Sequence, residues 1–144
     1  MGAIIIRNMT EVFGALDAFE KRMEYAAEYG VAQAGLAVER EAKKNANTGT
    51  HPRGQGHIDG TGPGPNVVTG TLRRSITTTV RYGFGSYIAT VGPTVEYARA
   101  VELGSKRWKS GVRYPYLMPA GKTLINNGTI NRVFTNAVRR KMKG

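Results

Sequence analysis

Apolar residues recur at two different spacings along this chain, and the change of spacing divides it into elements. The opening run "AIIIR" predicts a short strand, Ala3 to Arg7. Asn8 then stands where a helix N-cap is wanted, and Glu11, three residues on, completes a capping box. Beyond it Val12, Leu16, Phe19, Met23 and Ala26 step by four, three, four and three residues, which keeps them on one helix face. The next stretch, "AAEYGVAQAGLAVEREAKKNA", is rich in Ala and Gly and lets another backbone come close. Unbroken to Asn45, this helix is about 55 Å long. Two arrangements fit that length. Part of the stripe serves a neighbouring subunit, or the helix kinks at Gly30 and packs wholly within the monomer.

From Asn47 to Asn66 the apolar pattern stops. "NTGTHPRGQGHIDGTGPGPN" has almost nothing to bury, so residues 47–66 are expected to form a flexible Gly/Pro-rich loop within one domain spanning 1–144. Thr69-Gly70-Thr71-Leu72 reads as a turn into a strand that Ser75 begins. Period two then sets in. Ile76, Thr78 and Val80 share a face, with Thr77, Thr79 and Arg81 opposite, and Tyr87, Ala89 and Val91 alternate likewise after a Gly-bearing turn. This is an antiparallel hairpin. "TVEYARAVELG" predicts a short helix ended by Gly104, and "SKRWKSGVR" a basic, exposed loop. After Pro115 and Pro119 a last helix is expected from Ala120 to Met142, buried along Leu124, Ile130, Val133, Phe134 and Ala137, with Gly128 as its weak point. The class is α+β: a small antiparallel sheet, from the N-terminal strand and the central hairpin, packed against a long N-terminal helix and a C-terminal helix.

Composition narrows the partners. Of 144 residues 40% are hydrophobic and 22% charged, ordinary for a globular chain. Without cysteine, disulfides and thiolate metal sites are excluded. "AIII" falls far short of the ~20 residues of a membrane span and has no basic region before it, so neither a membrane partner nor a signal peptide is expected. The net charge of +11 is unevenly spread. Residues 1–44 hold six basic and seven acidic side chains, whereas residues 45–144 hold fifteen basic and three acidic. Such a surface suits DNA or an acidic protein, and charge alone does not separate them.

No catalytic set emerges. Gly121-Lys122-Thr123 matches the end of a phosphate-binding loop, but Tyr116 stands where its first glycine belongs and Pro119 removes a backbone donor from the cradle. His51, His57 and Asp59 could ligate a metal, yet they sit in the Gly/Pro loop with no scaffold to fix a geometry. Ser75 with His57 and Asp59 supplies the residue types of a hydrolytic triad without a nucleophile elbow. Glu96 and Glu102, six apart on a helix, diverge by about 240° and do not form an acid–base pair; Arg99, three from each, can pair with either. "RYGFGSY" departs from the RNA-binding signature at Tyr82, and a hairpin turn explains Gly83 and Gly85 more simply. Neither cofactor nor metal is implied. The basic residues Arg73, Arg74, Arg81, Lys106, Arg107, Lys109, Arg113, Arg139, Arg140, Lys141 and Lys143 are dispersed over a turn, a loop and a helix end, which suits loose contact with DNA phosphates or an acidic partner. Two classes remain: a structural assembly protein, or a non-specific nucleic-acid-binding module.

Three segments in order, "VVTGTLRRSI", "ATVGPTVEYARAVELGS" and "YPYLMPA", resemble the small neck and tail-completion proteins of long-tailed bacteriophages. Thr69, Gly70, Leu72, Arg73, Ser75 and Ile76 fit the family's turn. Val91, Gly92, Tyr97, Ala98, Val101, Glu102 and Gly104 fit its middle segment. Pro115, Pro119 and Ala120 fit the aromatic-proline stretch at the head of a helix. The resemblance covers roughly residues 67–125. It implies a virion protein, assembled in the host cytoplasm, that joins heads to tails as a neck, tail-completion or tail-terminator ring. It further implies a homo-oligomer, commonly a hexamer, around the DNA channel, with head-closure or adaptor and tail-tube proteins as neighbours. Lys122 and Thr123 then become first-turn residues of the final helix. The length of the Gly/Pro loop departs from the common pattern.

Overall fold

The computed structural model describes residues 9–47, 64–65, 70–107 and 112–143, with side chains from Gly14 onward. Its elements are α1 (Met9–Asn45), α2 (Thr71–Ser75), β1 (Ile76–Gly83), β2 (Ser86–Pro93), α3 (Ala98–Leu103), α4 (Leu117–Asn126) and α5 (Thr129–Lys143). The predicted strand Ala3–Arg7 and the cap at Asn8 lie outside the described residues. Among those residues the sheet is the two-stranded hairpin alone. The class is α+β, as the patterning predicts.

α1 is the spine. It runs 37 residues, and Gly30 does not interrupt it. Its glycines and alanines have a different use. A Cβ on Gly30 would stand 2.8 Å from the Phe134 ring and 2.9 Å from Val138 Cγ2, so this is where α5 presses in. A Cβ on Gly35 would stand 2.6 Å from Thr78 Cγ2 and 3.0 Å from Ala89 Cβ, so this is where the hairpin presses in. Five residues turn a helix by about 140°, so hairpin and α5 occupy different faces of α1. Each contacts α1 far more than it contacts the other.

The hairpin pairs Ile76 with Pro93 through Gly83 with Ser86, and its burial alternates over Ile76–Arg81 and Ser86–Val91. The inward set, Ile76, Thr78 and Val80 with Tyr87, Ala89 and Val91, is the one the spacing predicts. Thr78 Oγ1 donates to Glu39 Oε2 at 2.6 Å and ties β1 to α1. The main core lies at the C-terminal end of α1. There Ala42 and Ala46 meet Ile76, Tyr116 and Ala120, with Leu72, Val91, Val101 and Leu117 packed around them.

Three boundaries differ from expectation. The segment Thr71–Ser75 is one helical turn, with Gly70 left-handed at its N-cap (φ 71°), and the strand starts at Ile76. Ser75 therefore ends a helix, its Oγ donating to the Leu72 carbonyl. The last helix is two helices, parted at Asn127-Gly128, where Gly128 takes φ 71° and Asn127 Oδ1 accepts the Thr129 N–H. α4 also starts three residues before Ala120, since Pro119 sits in its first turn, where the missing N–H does no harm. Of the Gly/Pro loop, Asn47, Gly64 and Pro65 are described, and the last two are buried; the rest lies outside the described residues.

Candidate assembly surfaces

Two of the sequence motifs meet at one carboxylate. Glu102, near the end of α3, accepts hydrogen bonds from the backbone N–H groups of Tyr116 (2.8 Å), Leu117 (3.0 Å) and Met118 (2.8 Å). A helix leaves its first N–H groups without intrahelical partners. Here Glu102 takes three of them and Pro119 has none to offer, so the α4 N-terminus is closed. Tyr114 N–H to Val101 carbonyl (2.8 Å) and Asn45 Nδ2 to Tyr116 carbonyl (3.1 Å) hold the same joint. Burial, the Glu102 charge and Tyr97 together push the Tyr116 phenol far above its ordinary pKa. Glu102 thus caps α4 and makes no ion pair with Arg99 among the described residues, the pairing that the helix spacing allowed. Glu96 lies in the turn before α3.

The same joint disposes of the phosphate-loop triplet. Gly121, Lys122 and Thr123 lie in the second turn of α4, past the first-turn place expected for Lys122 and Thr123. The backbone N–H groups at the α4 N-terminus are taken by Glu102.

Of the remaining motif residues, Gly70 and Gly104 use the conformational freedom of glycine. Gly104 takes φ 85° with the Val112 carbonyl 2.8 Å from where a Cβ would sit. Leu72 packs on the core, Ala98 and Ala120 are buried, and Tyr97 is half exposed. Gly92 lies in β2, opposite Thr77, and Pro115 is buried beside Tyr116. Thr69 lies outside the described residues.

The N-terminal half of α1 has no cover among the described residues. Every residue from Gly14 to Tyr25 is exposed. Leu16 (55%), Phe19 (56%) and Met23 (42%) continue the line of Ala26 and Gly30, which α5 covers. The antiparallel α5 runs out at this level, with Lys141 Nζ 4.4 Å from the Tyr29 ring centroid and 5.1 Å from that of Tyr25. The stripe predicted from residue spacing is real, and its first half faces outward.

The hairpin tip adds a second uncovered apolar group. Phe84 and Gly85 form a two-residue turn with φ of 53° and 73°. Glycine is needed at position 85; Gly83, given to the turn on sequence, belongs to β1. A non-glycine residue in the left-handed region costs about 1–2 kcal/mol, and Phe84 is fully exposed besides. Tyr82 and Tyr87 stack edge-on behind it, 5.1 Å apart. Partial desolvation and the Glu24 and Glu28 charges raise the Tyr87 pKa.

The cations sort into three groups. Arg73 and Arg74 converge with Arg40, Lys43 and Lys44 along an open groove at the far end of α1, floored in part by Leu36. Lys141 is engaged by two tyrosines, while Arg140 borders a hollow with Tyr29 and Gln33, and Arg139 is exposed. Lys106 and Arg107 are exposed, but Arg113 is half-buried, its Nε enclosed without a partner among the described residues, contrary to a free surface loop. Lys109, His51, His57 and Asp59 lie outside the described residues. No trio of metal-ligating side chains occurs among the described residues, and no described helix is long and apolar enough to cross a membrane.

Sequence reading missed Arg40, Lys43 and Lys44 as companions of Arg73 and Arg74, because about thirty residues of chain separate the two sets. It also passed over Phe84. The available signal was a large aromatic followed by glycine at a hairpin tip, where Asn-Gly is the usual pair.

The sequence model of the HK97-gp10-like family, described as "Bacteriophage HK97-gp10, putative tail-component", matches residues 11–104. That span is 94 of the 144 residues. It takes in α1, the hairpin and α3, and stops before the Pro115–Ala120 motif. No curated protein and no solved structure matches the chain.

Proposed function

The chain belongs to the HK97-gp10-like family of bacteriophage tail components, and on that premise we propose that it is a structural protein of the head–tail connector. It acts there as a homo-oligomeric ring of the neck or tail-completion type, with the DNA channel at its centre. Its neighbours are a head-closure or adaptor protein and the tail tube. The observation that carries the reading is the uncovered half of α1. A monomer gains nothing from exposing Leu16, Phe19 and Met23 in a row, whereas a subunit interface covers them. Phe84 supports it, since a strained and exposed aromatic is the kind of anchor that interfaces use. Contact with channel DNA, where it occurs, runs through cations and phosphates and is blind to sequence.

Native mass spectrometry, alone and with the neck and tail-tube neighbours, together with immunodetection on purified virions, tests this reading. Rings and a virion-bound protein are expected. A monomer under every condition that is also absent from virions would contradict it. Filter binding of two unrelated duplexes across a salt series tests the DNA contact: equal affinities that fall steeply with salt are expected, and strong preference for one duplex counts against it.

A further inference from the structure

The two ends of α1 complement each other and cannot meet within one molecule. At the N-terminal end the stripe Leu16, Phe19 and Met23 is flanked on one side by exposed Asp17, Glu20 and Glu24; Lys21 and Arg22 are exposed in the same segment, Arg22 on the opposite edge of the stripe, so the acidic edge is the Asp17–Glu24 side alone. At the C-terminal end the groove offers Leu36, 43% exposed, and the aliphatic stems of Arg40 and Lys43 beneath a cationic rim. Lys43 is paired with Glu39 at 2.6 Å and Lys44 with Glu41 at 3.6 Å. Arg40, Arg73 and Arg74 make no ion pair among the described residues. Three exposed carboxylates thus face outward at one end and three exposed guanidinium groups at the other.

Lengths are close as well. Gly14–Tyr25 is twelve residues, about 17 Å of helix, and the groove segment Leu36–Asn45, the last ten residues of α1, is about 14 Å. Their centres lie about 32 Å apart along one unbroken helix, so no bend brings one end onto the other.

We propose that the acidic, apolar overhang of one copy seats in the cationic groove of the next. This inference rests on the ring reading and names the interface that closes the ring. The contact is heterologous, overhang to groove, and such contacts propagate into rings when the rotation closes. Leu16, Phe19 and Met23 lie over Leu36 and the arginine stems, while Asp17, Glu20 and Glu24 meet Arg40, Arg73 and Arg74 in charge-assisted hydrogen bonds. Complementary charge also fixes the polarity, because overhang against overhang or groove against groove sets like charges together.

Two surface variants test it. One carries Asp17→Arg, Glu20→Arg and Glu24→Arg; the other carries Arg40→Glu, Arg73→Glu and Arg74→Glu. All six positions are exposed, so both should fold and melt like wild type. Each alone is expected to sediment as a monomer at low salt, where the wild type assembles. Mixed, they should assemble again into rings of alternating copies, because the unchanged groove of the first takes the unchanged overhang of the second, and the arginine overhang of the first takes the glutamate groove of the second. A chain carrying all six exchanges should assemble again, which a misfolded chain would not. Wild type that stays monomeric at low salt, single variants that assemble normally, or a mixture that stays monomeric would each overturn the proposal. So would a groove variant that loses binding to a short DNA duplex yet still assembles, because the groove would then belong to nucleic acid. Rings indifferent to all six changes would remove this interface and leave the ring reading intact; absence from virions would remove the ring reading itself.

Discussion

The two halves of α1 follow opposite rules. From Ala26 to Ala46 the contact positions are small: Ala26, Gly30, Gly35, Ala42 and Ala46 are all buried. From Leu16 to Met23 they are large, and all are exposed. Small residues let α5, the hairpin and α4 come within van der Waals contact of the helix backbone, so the monomer spends that half on its own fold. Large residues gain free energy only when something covers them, by about 1.5–3 kcal/mol for a fully buried side chain. One helix thus serves folding with one end and association with the other.

Changes in the covered half should have the largest effect on the monomer. Gly35→Leu forces a side chain against Thr78 and Ala89, whose Cβ-level atoms cannot swing away. The expected loss is about 3 kcal/mol, despite about 1 kcal/mol of gained helix propensity. Thermal melting reads it directly, and a stable variant would show that the hairpin does not pack where described.

Next comes the joint that anchors the covered end. Glu102→Ala leaves three backbone N–H groups unsatisfied and should cost about 2–3 kcal/mol. Glu102→Gln keeps one oxygen acceptor and should cost about half of that. Denaturant titration of both, with equal slopes, checks the order; Glu102→Ala as stable as wild type would mean that α4 needs no such cap.

The uncovered half should respond in the opposite sense. Replacing Leu16, Phe19 and Met23 together with Ser should cost the monomer less than about 1 kcal/mol, mostly helix propensity. The same variant should not assemble. Sedimentation beside thermal melting separates the two effects, and a large drop in melting temperature would show that these residues pack within the monomer after all.

The smallest effect is a pH dependence. Burial alone would raise the Glu39 pKa, but hydrogen bonds from Lys43 and Thr78 and the nearby Lys43 charge outweigh it, and the net shift is downward from 4.5. A carboxyl held low in the folded state stabilises fully above its unfolded pKa, and that contribution is lost as pH falls through the folded value. Glu39→Gln should therefore lower stability modestly at neutral pH, where the carboxylate contributes fully, and flatten the acid limb below about pH 4.5, where the wild type loses that same contribution. An unchanged acid limb would mean that the bond to Thr78 does not join hairpin and helix.

Much of this was legible in the sequence, for stated physical reasons. Alternation fixed which residues of β1 and β2 face α1, because a strand has only two faces. The stripe of α1 was readable, and Gly128 was readable as a weak point, though not as the boundary between two helices. What the spacing could not reveal was which half of the stripe is covered, since that depends on where α5 ends. Nor could it show that Glu102 closes a helix that begins fifteen residues further along the chain, because a capping carboxylate need not belong to the helix it caps. The family motifs brought Glu102 and Pro119 together without a reason; the closed α4 N-terminus supplies one. Charge counting found an excess of cations after residue 44 but not the groove, since Arg40, Lys43 and Lys44 come from residues 1–44, where basic and acidic side chains nearly balance.

Hydrogen exchange along α1, in the isolated subunit and in the assembled state, tests the division of this helix most directly. In the subunit, amides of residues 26–45 should be protected, and those of residues 14–25 should exchange fast, because a helix end without tertiary packing frays. In the assembly both halves should be protected. Equal protection of both halves in the isolated subunit, or continued fast exchange of residues 14–25 after assembly, would contradict the division of α1 into a folding half and an association half.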